Sequence, residues 1–254
     1  MIGFIRRRRL QKRMKELAPS DAEFQHVVNT FACLRVLSKD EVKRLRKRSV
    51  EILARMEFLG AKDYEPDYRA CLTVSALSAL PLLNRKLHWL RDFHTIILYE
   101  ETYSAEFTKV DENGIVHRGV HKRAGEAWHR GPMVLAMSDV MRSGQGQGFN
   151  VVVHELVHHI DYLNRDPDGF PPLPHGMSSS AWAKHFSAGY TLLQHQLEHQ
   201  QKPWLDPYGA TNPAEFFAVC CEFFFDVPIY LRQQQPKIYQ LLSEFFDQHP
   251  AARI

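Results

Sequence analysis

Long hydrophobic runs are missing from this sequence, and no stretch approaches the roughly 18 to 20 uninterrupted apolar residues that a membrane-spanning helix requires. The first fifteen residues also lack the order of a secretory signal, because their charges follow the apolar residues and no apolar segment comes next. We therefore predict a cytoplasmic protein without a membrane span. Hydrophobic residues still make up 44% of the chain, which is enough for a sizeable core.

Cysteine is scarce, and its positions exclude the usual cysteine-based sites. Cys33, Cys71, Cys220 and Cys221 form no C-x-x-C pair and no recognisable zinc-binding spacing. Each of them lies in an apolar segment with a helical pattern. We interpret all four as reduced core residues, which agrees with a cytoplasmic location.

The net charge of +3 is distributed unevenly along the chain. Basic residues are concentrated at positions 6–15 and in KRLRKR at 43–48, whereas the remainder is acidic overall. We interpret residues 1–20 as a mobile basic arm and KRLRKR as a charged helix face, so nucleic-acid binding through these runs is the less favoured reading. Residues 21–254 contain no repeat and no low-complexity linker, which predicts a single domain.

The order of the predicted elements indicates an α+β fold that is mostly helical, with a small central β-sheet. Ser38 and Glu41 form a capping box at the start of the first long helix. An Asn113-Gly114 pair predicts a turn in the middle of the chain, with a strand after it. The predicted helices cover 38–60, 68–84 with an interruption near Pro81, 151–163, 181–200, 213–225 and 236–247, and the other predicted strands cover 94–100 and 132–138.

Polar side chains interrupt an otherwise apolar helix in GFNVVVHELVHHIDYLN, residues 148–164. The apolar residues form one stripe toward the core, whereas His154 and His158 fall on another face, one turn apart. Glu155 lies about 100° around the helix from His154. H-E-x-x-H is the arrangement in which two histidines bind zinc and the glutamate serves as a general base. A plain surface helix is the alternative, but such polar groups are costly to bury without partners.

A zinc ion that performs chemistry needs a third protein ligand. The extended motif with a third histidine is excluded, because Asp161 and Asn164 occupy the positions of its glycine and last histidine. The third ligand must then come from elsewhere, and DPYGATNPAEFFAVCCEFFFDVP at 206–228 is the best source. There, Glu215 and Glu222 share one face of a predicted helix.

These acids are assigned different roles. Glu215 is favoured as the third ligand, with a capping box to Asn212 as the alternative. Glu222 is predicted to hold a ligand histidine in its tautomer, and Asp161 is assigned either the same role or that of an exposed acid. His159 points away from His154 and is predicted to lie at the edge of the core or behind the ligands.

The sequence resembles the Mlc titration factor A family of bacterial zinc peptidases. The resemblance is carried by FHTIILYEETY, GPMVLAMSDV, GFNVVVHELVHHID and YGATNPAEFFAVCCEFFF, and covers most of the chain from about residue 60 onward. The family's site is similar to that of the catalytic domain of anthrax lethal factor, a gluzincin. The resemblance thus implies a zincin-like domain over 21–254 that binds one Zn²⁺ through His154, His158 and Glu215, with Glu155 as the base. It also implies Tyr208 as a hydroxyl donor to the developing oxyanion.

The resemblance implies aminopeptidase-like hydrolysis of peptides and binding to a transcriptional repressor of the Mlc type. A regulatory protein that sequesters such a repressor, with structural zinc, is the alternative, although a complete base and an open fourth position argue against it. We expect strand 132–138 to lie at the cleft edge and to hold the substrate by main-chain pairing. The loops at 141–148 and 164–180 are long enough to act as lids.

Overall fold

The computed structural model describes residues 2–101, 103–110, 116–123, 125–127, 131–164 and 166–254. The helices are α1 Ile2–Glu16, α2 Asp21–Thr30, α3 Ala32–Arg35, α4 Lys39–Arg55, α5 Tyr68–Ala79, α6 Met137–Arg142, α7 Val151–Asp161, α8 Ser179–Glu198, α9 Pro213–Asp226, α10 Pro228–Gln234 and α11 Pro236–Phe246. The strands are β1 Glu57–Gly60, β2 Thr95–Tyr99, β3 Tyr103–Val110, β4 Val116–Arg123, β5 Gly125–Ala127 and β6 Met133–Ala136. Short 3₁₀ helices occur at Leu87–Leu90, Tyr162–Asn164, Pro207–Ala210 and Pro250–Ala252.

The main sheet has the strand order β1-β2-β6-β5. Its first three strands are parallel, with Phe58 opposite Ile96 and Ile97 opposite Val134, whereas β5 runs antiparallel to β6. Strands β3 and β4 form a separate antiparallel pair. This architecture confirms the predicted α+β fold, with mostly helical structure around a small sheet. Strand β6 pairs with β2 on one side and with β5 on the other, and its predicted place at the edge of the substrate cleft stays a prediction.

The predicted capping box at the start of α4 is confirmed. The backbone N–H of Ser38 donates to Glu41 at 2.9 Å, and the Glu41 N–H donates to the Ser38 hydroxyl at 3.3 Å. The helix ends at Arg55, earlier than predicted, because the next residues extend and pair with β2 as strand β1. The predicted Asn113-Gly114 turn lies outside the described residues.

Helix α7 is buried along its whole length and lies against both the sheet and other helices. It contacts strands β5 and β6 and helices α5 and α9. An aromatic cluster packs α8, α9 and α11 together behind it, where Trp182 stacks on Phe186 at 4.2 Å and meets Phe217 and Phe245. Close packing of this kind fixes the position of α9 relative to α7, which matters for the site described below.

Residues of the predicted N-terminal arm form helix α1, which lies next to α4. After this helix, the Tyr68 hydroxyl donates to the carbonyl of Leu17 at 2.9 Å. The mobility of the arm stays a prediction. Within the described part of the chain, no helix combines the length and hydrophobicity needed to cross a bilayer.

Candidate metal centre

The N-terminus of α7 is fixed by side chains on both sides of the helix start. The Asn150 side chain accepts a hydrogen bond from the Val153 N–H at 3.2 Å, as expected of an N-cap. The Val151 N–H donates to the Ser143 hydroxyl at 3.0 Å. Because these bonds set the rotation of the first turn, they also set the direction of the histidine side chains that follow.

The structure brings the three predicted ligand side chains together. Nε2 of His154 lies 2.9 Å from Oε2 of Glu215, Nε2 of His158 lies 3.2 Å from the same oxygen, and the two nitrogens are 3.1 Å apart. Atoms bound to one tetrahedral zinc at about 2.0–2.2 Å lie roughly 3.3–3.5 Å from each other. The observed cluster is only slightly tighter than that, so these donors fit a zinc ion.

Glu215 comes from the first turn of α9. Asn212 caps this helix by accepting the Glu215 N–H at 3.0 Å, and Pro213 occupies the first helical position. The Glu215 carboxylate extends to His154 and His158 instead of returning to the Asn212 backbone. Capping therefore positions Glu215 but leaves its carboxylate available to a metal ion.

Glu222 lies two turns further along α9 and binds the other nitrogen of His154. Its Oε1 is 2.8 Å from Nδ1 of His154, while its Oε2 accepts the Asn150 N–H at 2.5 Å. A carboxylate in this position holds the proton on Nδ1 and leaves the lone pair of Nε2 directed toward the ligand cluster. The orientation of the ligand histidine is thus built into the contact between α7 and α9.

The acids around the two imidazoles make the cluster strongly negative. Burial disfavours the charged form of His154, but hydrogen bonds to Glu215 and Glu222 outweigh it and raise its pKa well above the ordinary value. For Glu215, burial favours the neutral acid, but hydrogen bonds to His154 and His158 outweigh it and lower its pKa. The cluster therefore favours a positive charge at its centre, either a proton or a divalent cation.

Glu155 and Tyr208 both lie near the ligands. Glu155 is buried within α7 next to His154, and its charge contributes to the raised pKa of that histidine. The Tyr208 ring lies 5.9 Å from the His154 ring, between centroids, and is 54% exposed. Its backbone is held by Asp206, which accepts the Tyr208 N–H at 2.8 Å, and by Thr211, whose hydroxyl donates to the Tyr208 carbonyl at 2.7 Å. Tyr208 is therefore a largely exposed residue next to His154.

Asp161 is completely buried, so it is not an exposed acid. Its carboxylate accepts the Gly169 N–H at 2.8 Å, and the indole N–H of Trp182 donates to the carbonyl of that glycine at 3.0 Å. Burial raises the pKa of Asp161 to about 7. Asp161 thus anchors the loop that follows α7, whereas the predicted hydrogen bond to a ligand histidine is not found among the described residues.

His159 occupies a different face of α7 from the ligands. Its ring stacks on Phe93, with 4.4 Å between centroids. Burial lowers the pKa of His159 to about 4, so the imidazole is neutral at pH 7. The prediction of a histidine at the edge of the core agrees with this position.

Asp226, at the end of α9, is a residue that the sequence analysis missed. Its carboxylate accepts the backbone N–H groups of Gly146, Gln147 and Gly148 at 2.8, 2.8 and 2.6 Å, and that of Phe149 at 3.3 Å. This contact holds the glycine-rich loop before α7, which the sequence suggested as a lid. No local pattern distinguishes Asp226, which lies one residue past the predicted helix 213–225.

Comparison with known proteins gives this cluster a context. The chain matches the family model described as glucose-regulated metallo-peptidase M90 over residues 4–247. It is 37% identical over 184 residues to a protein named Mlc titration factor A from Serratia proteamaculans, covering 71% of this chain and 70% of that relative. It is 30% identical over 221 residues to the protein of the same name from Enterobacter sp. (strain 638), covering 86% and 83% of the two chains.

These matches confirm the resemblance drawn from the sequence, because each covers most of the chain, and the family model spans every residue of the cluster described above. The chain belongs to the family of glucose-regulated metallo-peptidases M90.

Proposed function

We propose that this protein is a zinc-dependent peptidase of the aminopeptidase type, in which His154, His158 and Glu215 bind one Zn²⁺. The observation that carries the proposal is the convergence of these three donors, with Glu222 on the remaining nitrogen of His154. Two imidazole nitrogens and one carboxylate suit zinc better than magnesium or calcium, which prefer oxygen ligands alone.

When bound, Zn²⁺ supplies Lewis-acid chemistry by polarising the substrate carbonyl and lowering the pKa of water. Glu155 accepts the proton of the attacking water and returns it to the leaving amine. The Tyr208 hydroxyl donates a hydrogen bond to the oxyanion that develops on the carbonyl oxygen. Its exposed position beside His154 supports this role, since the phenol is accessible to a substrate that enters from solvent.

The aminopeptidase-type specificity rests on the family relationship and not on a feature of the cleft. We also propose a cytoplasmic location. The cysteines support it, because all four are free in the structure and three of them are buried.

The name shared by the relatives supports a second candidate function. Proteins named Mlc titration factor A match this chain over most of its length, which favours binding of a transcriptional repressor of the Mlc type. In this alternative, repressor binding is the main activity and peptide hydrolysis is secondary or absent.

The test is hydrolysis of a mixed panel of chromogenic aminoacyl substrates and longer fluorogenic peptides by zinc-loaded protein. We expect the wild type to turn over at least one aminoacyl substrate, and Glu155→Gln to lose about 10²- to 10⁴-fold in rate while it retains one zinc per chain. Glu198→Gln, at an exposed position of α8, is the matched control and should be fully active.

Other outcomes discriminate between the candidates. Full activity of Glu155→Gln would show that the base is misassigned. Cleavage of the longer peptides alone would indicate an endopeptidase activity instead of an aminopeptidase activity. Zinc binding without turnover by any variant, together with retention of an Mlc-type repressor on immobilised protein, would favour the regulatory alternative.

A further inference from the structure

A basic groove lies next to α7, where one of its lining residues, Phe93, stacks on His159. It consists of two adjoining depressions, of about 590 and 540 Å³, that share Lys86, His88 and Arg91 in the segment between α5 and β2. The other basic side chains that line it are Arg48, Arg55 and His94 in the larger depression and Arg85 and His175 in the smaller one.

Positive charge in the basic groove is only partly compensated. Among the described residues that line it, Glu51 is the one acid, and it lies 2.7 Å from Arg55 and 3.6 Å from Arg48. Arg91 pairs with Asp92 at 3.3 Å, but both side chains are more than half exposed, so solvent screens the pair. Lys86 is exposed and has no ion pair among the described residues. A concave surface with this excess concentrates positive potential and attracts anions.

The floor of the basic groove is apolar. In the smaller depression this floor is accessible, because Leu163, Pro172, Leu173 and Pro174 are partly exposed, whereas Leu87, Leu90 and Phe93 beneath the larger one are buried. An apolar floor between cationic rims matches a polypeptide segment that carries acidic side chains together with apolar ones. A free inorganic anion has no apolar groups that could contact this floor.

Single-stranded nucleic acid is a poorer match, because it requires exposed aromatic faces on which bases stack. The two large aromatic rings of the groove are Trp89 and Phe93, which are only 5% and 3% exposed. Trp89 stacks on Phe245 with 4.9 Å between centroids, and Phe93 stacks on His159. Each of the two rings is therefore buried against another ring in the core and is not available for stacking with a base.

We propose that the basic groove binds an acidic polypeptide segment with interspersed apolar side chains, supplied by a partner protein. The contact between Phe93 and His159 places this site next to the helix that carries His154 and His158, yet on a different face from them. The groove is thus a binding site separate from the candidate metal centre. Its existence does not depend on peptidase activity.

The test is fluorescence anisotropy with zinc-loaded protein and an acetylated, fluorescein-labelled peptide in which glutamate alternates with leucine. We expect saturable binding that weakens as salt is added, and a loss of about tenfold or more in affinity for the double variant Lys86→Glu/Arg91→Glu. The matched control Lys184→Glu/Arg232→Glu changes the net charge equally at exposed positions outside the groove and should bind like the wild type.

Two further probes make the proposal falsifiable. A peptide in which lysine replaces glutamate, and labelled oligo(dT) of similar length, should both bind at least tenfold more weakly than the acidic peptide at the same ionic strength. Equal or tighter binding of oligo(dT) would assign the groove to nucleic acid. Equal loss in both double variants, or no binding of the acidic peptide, would overturn the proposal, and since no hydrolysis is measured, such results leave the peptidase assignment untouched.

Discussion

Glu222 contacts His154 and the start of α7 at the same time. One carboxylate oxygen lies 2.8 Å from Nδ1 of His154 and the other accepts the N–H of Asn150, the residue that caps the helix. His154, a proposed metal ligand, is therefore oriented by the same side chain that fixes the start of its helix. Loss of this carboxylate affects the direction of Nε2 and the position of the helix together.

Glu222→Gln should weaken zinc binding by about 10- to 100-fold, because an amide N–H in place of the carboxylate oxygen can force the imidazole proton onto Nε2. Competition against a chromogenic chelator measures this affinity. The control Glu198→Gln should bind zinc like the wild type. Unchanged affinity in Glu222→Gln would show that the carboxylate does not set the tautomer.

Tyr208→Phe should reduce kcat by about 10²- to 10³-fold with little change in KM or zinc content, since the hydroxyl is proposed to act only on the developing oxyanion. Steady-state kinetics on the best aminoacyl substrate provides the measurement. The control Tyr230→Phe removes the hydroxyl of another partly exposed tyrosine, on α10, and should leave kcat and KM unchanged. A rise in KM at constant kcat would assign Tyr208 to substrate binding instead.

Asp226→Asn should destabilise the protein by about 2 to 4 kcal/mol, because a buried amide cannot accept all of the backbone N–H groups that the carboxylate binds. Urea denaturation of the zinc-free protein measures the change without a contribution from metal binding. Asp168→Asn is the control, since this exposed acid accepts the N–H of Phe170 at 3.0 Å and no other backbone N–H of the described residues, so the change should cost less than about 0.5 kcal/mol. Similar losses in both variants would contradict the role assigned to Asp226.

His159→Phe should reduce the loss of folding stability that occurs as the pH falls. In the folded protein the pKa of His159 is about 4, below its ordinary value of 6.5, so the unfolded chain takes up a proton first as the pH falls. Between pH 6.5 and pH 4, the free energy of unfolding of the wild type should therefore fall by up to about 3 kcal/mol more than that of the variant. Above pH 6.5 this contribution should be complete and constant.

Chemical denaturation of the zinc-free protein at several pH values measures this difference. His26→Gln, which replaces an exposed histidine, should follow the wild type. Parallel pH profiles for wild type and His159→Phe would show that the buried imidazole is not the titrating group.

The features that could be predicted from the sequence are those encoded within one helix. The H-E-x-x-H spacing places His154 and His158 on one face by helix geometry alone, and Asn212 followed by Pro213 marks the start of α9. Glu215 then stood out as an acid on an apolar helix. Each inference needed only the period of the helix and the chemistry of its side chains.

The features that could not be predicted depend on distant partners. Residues 57–60 are a strand because β2 lies beside them, and their own pattern continues that of the preceding helix. Strand β6 is internal because β5 covers its second edge. Asp226 became recognisable only when its bonds to the loop before α7 were seen, since an acid near a helix end has no distinctive local pattern. Tertiary contacts decided all three.

The division of the ligand set between α7 and α9 has a consequence for biosynthesis. His154 precedes Glu215 by 61 residues and Glu222 by 68. At translation rates of about 5 to 20 residues per second, both histidines leave the ribosome roughly 3 to 12 seconds before the first of these carboxylates. A nascent chain therefore carries the complete H-E-x-x-H motif for seconds before the third proposed metal ligand exists, and a product that terminates ahead of Asn212 lacks that ligand.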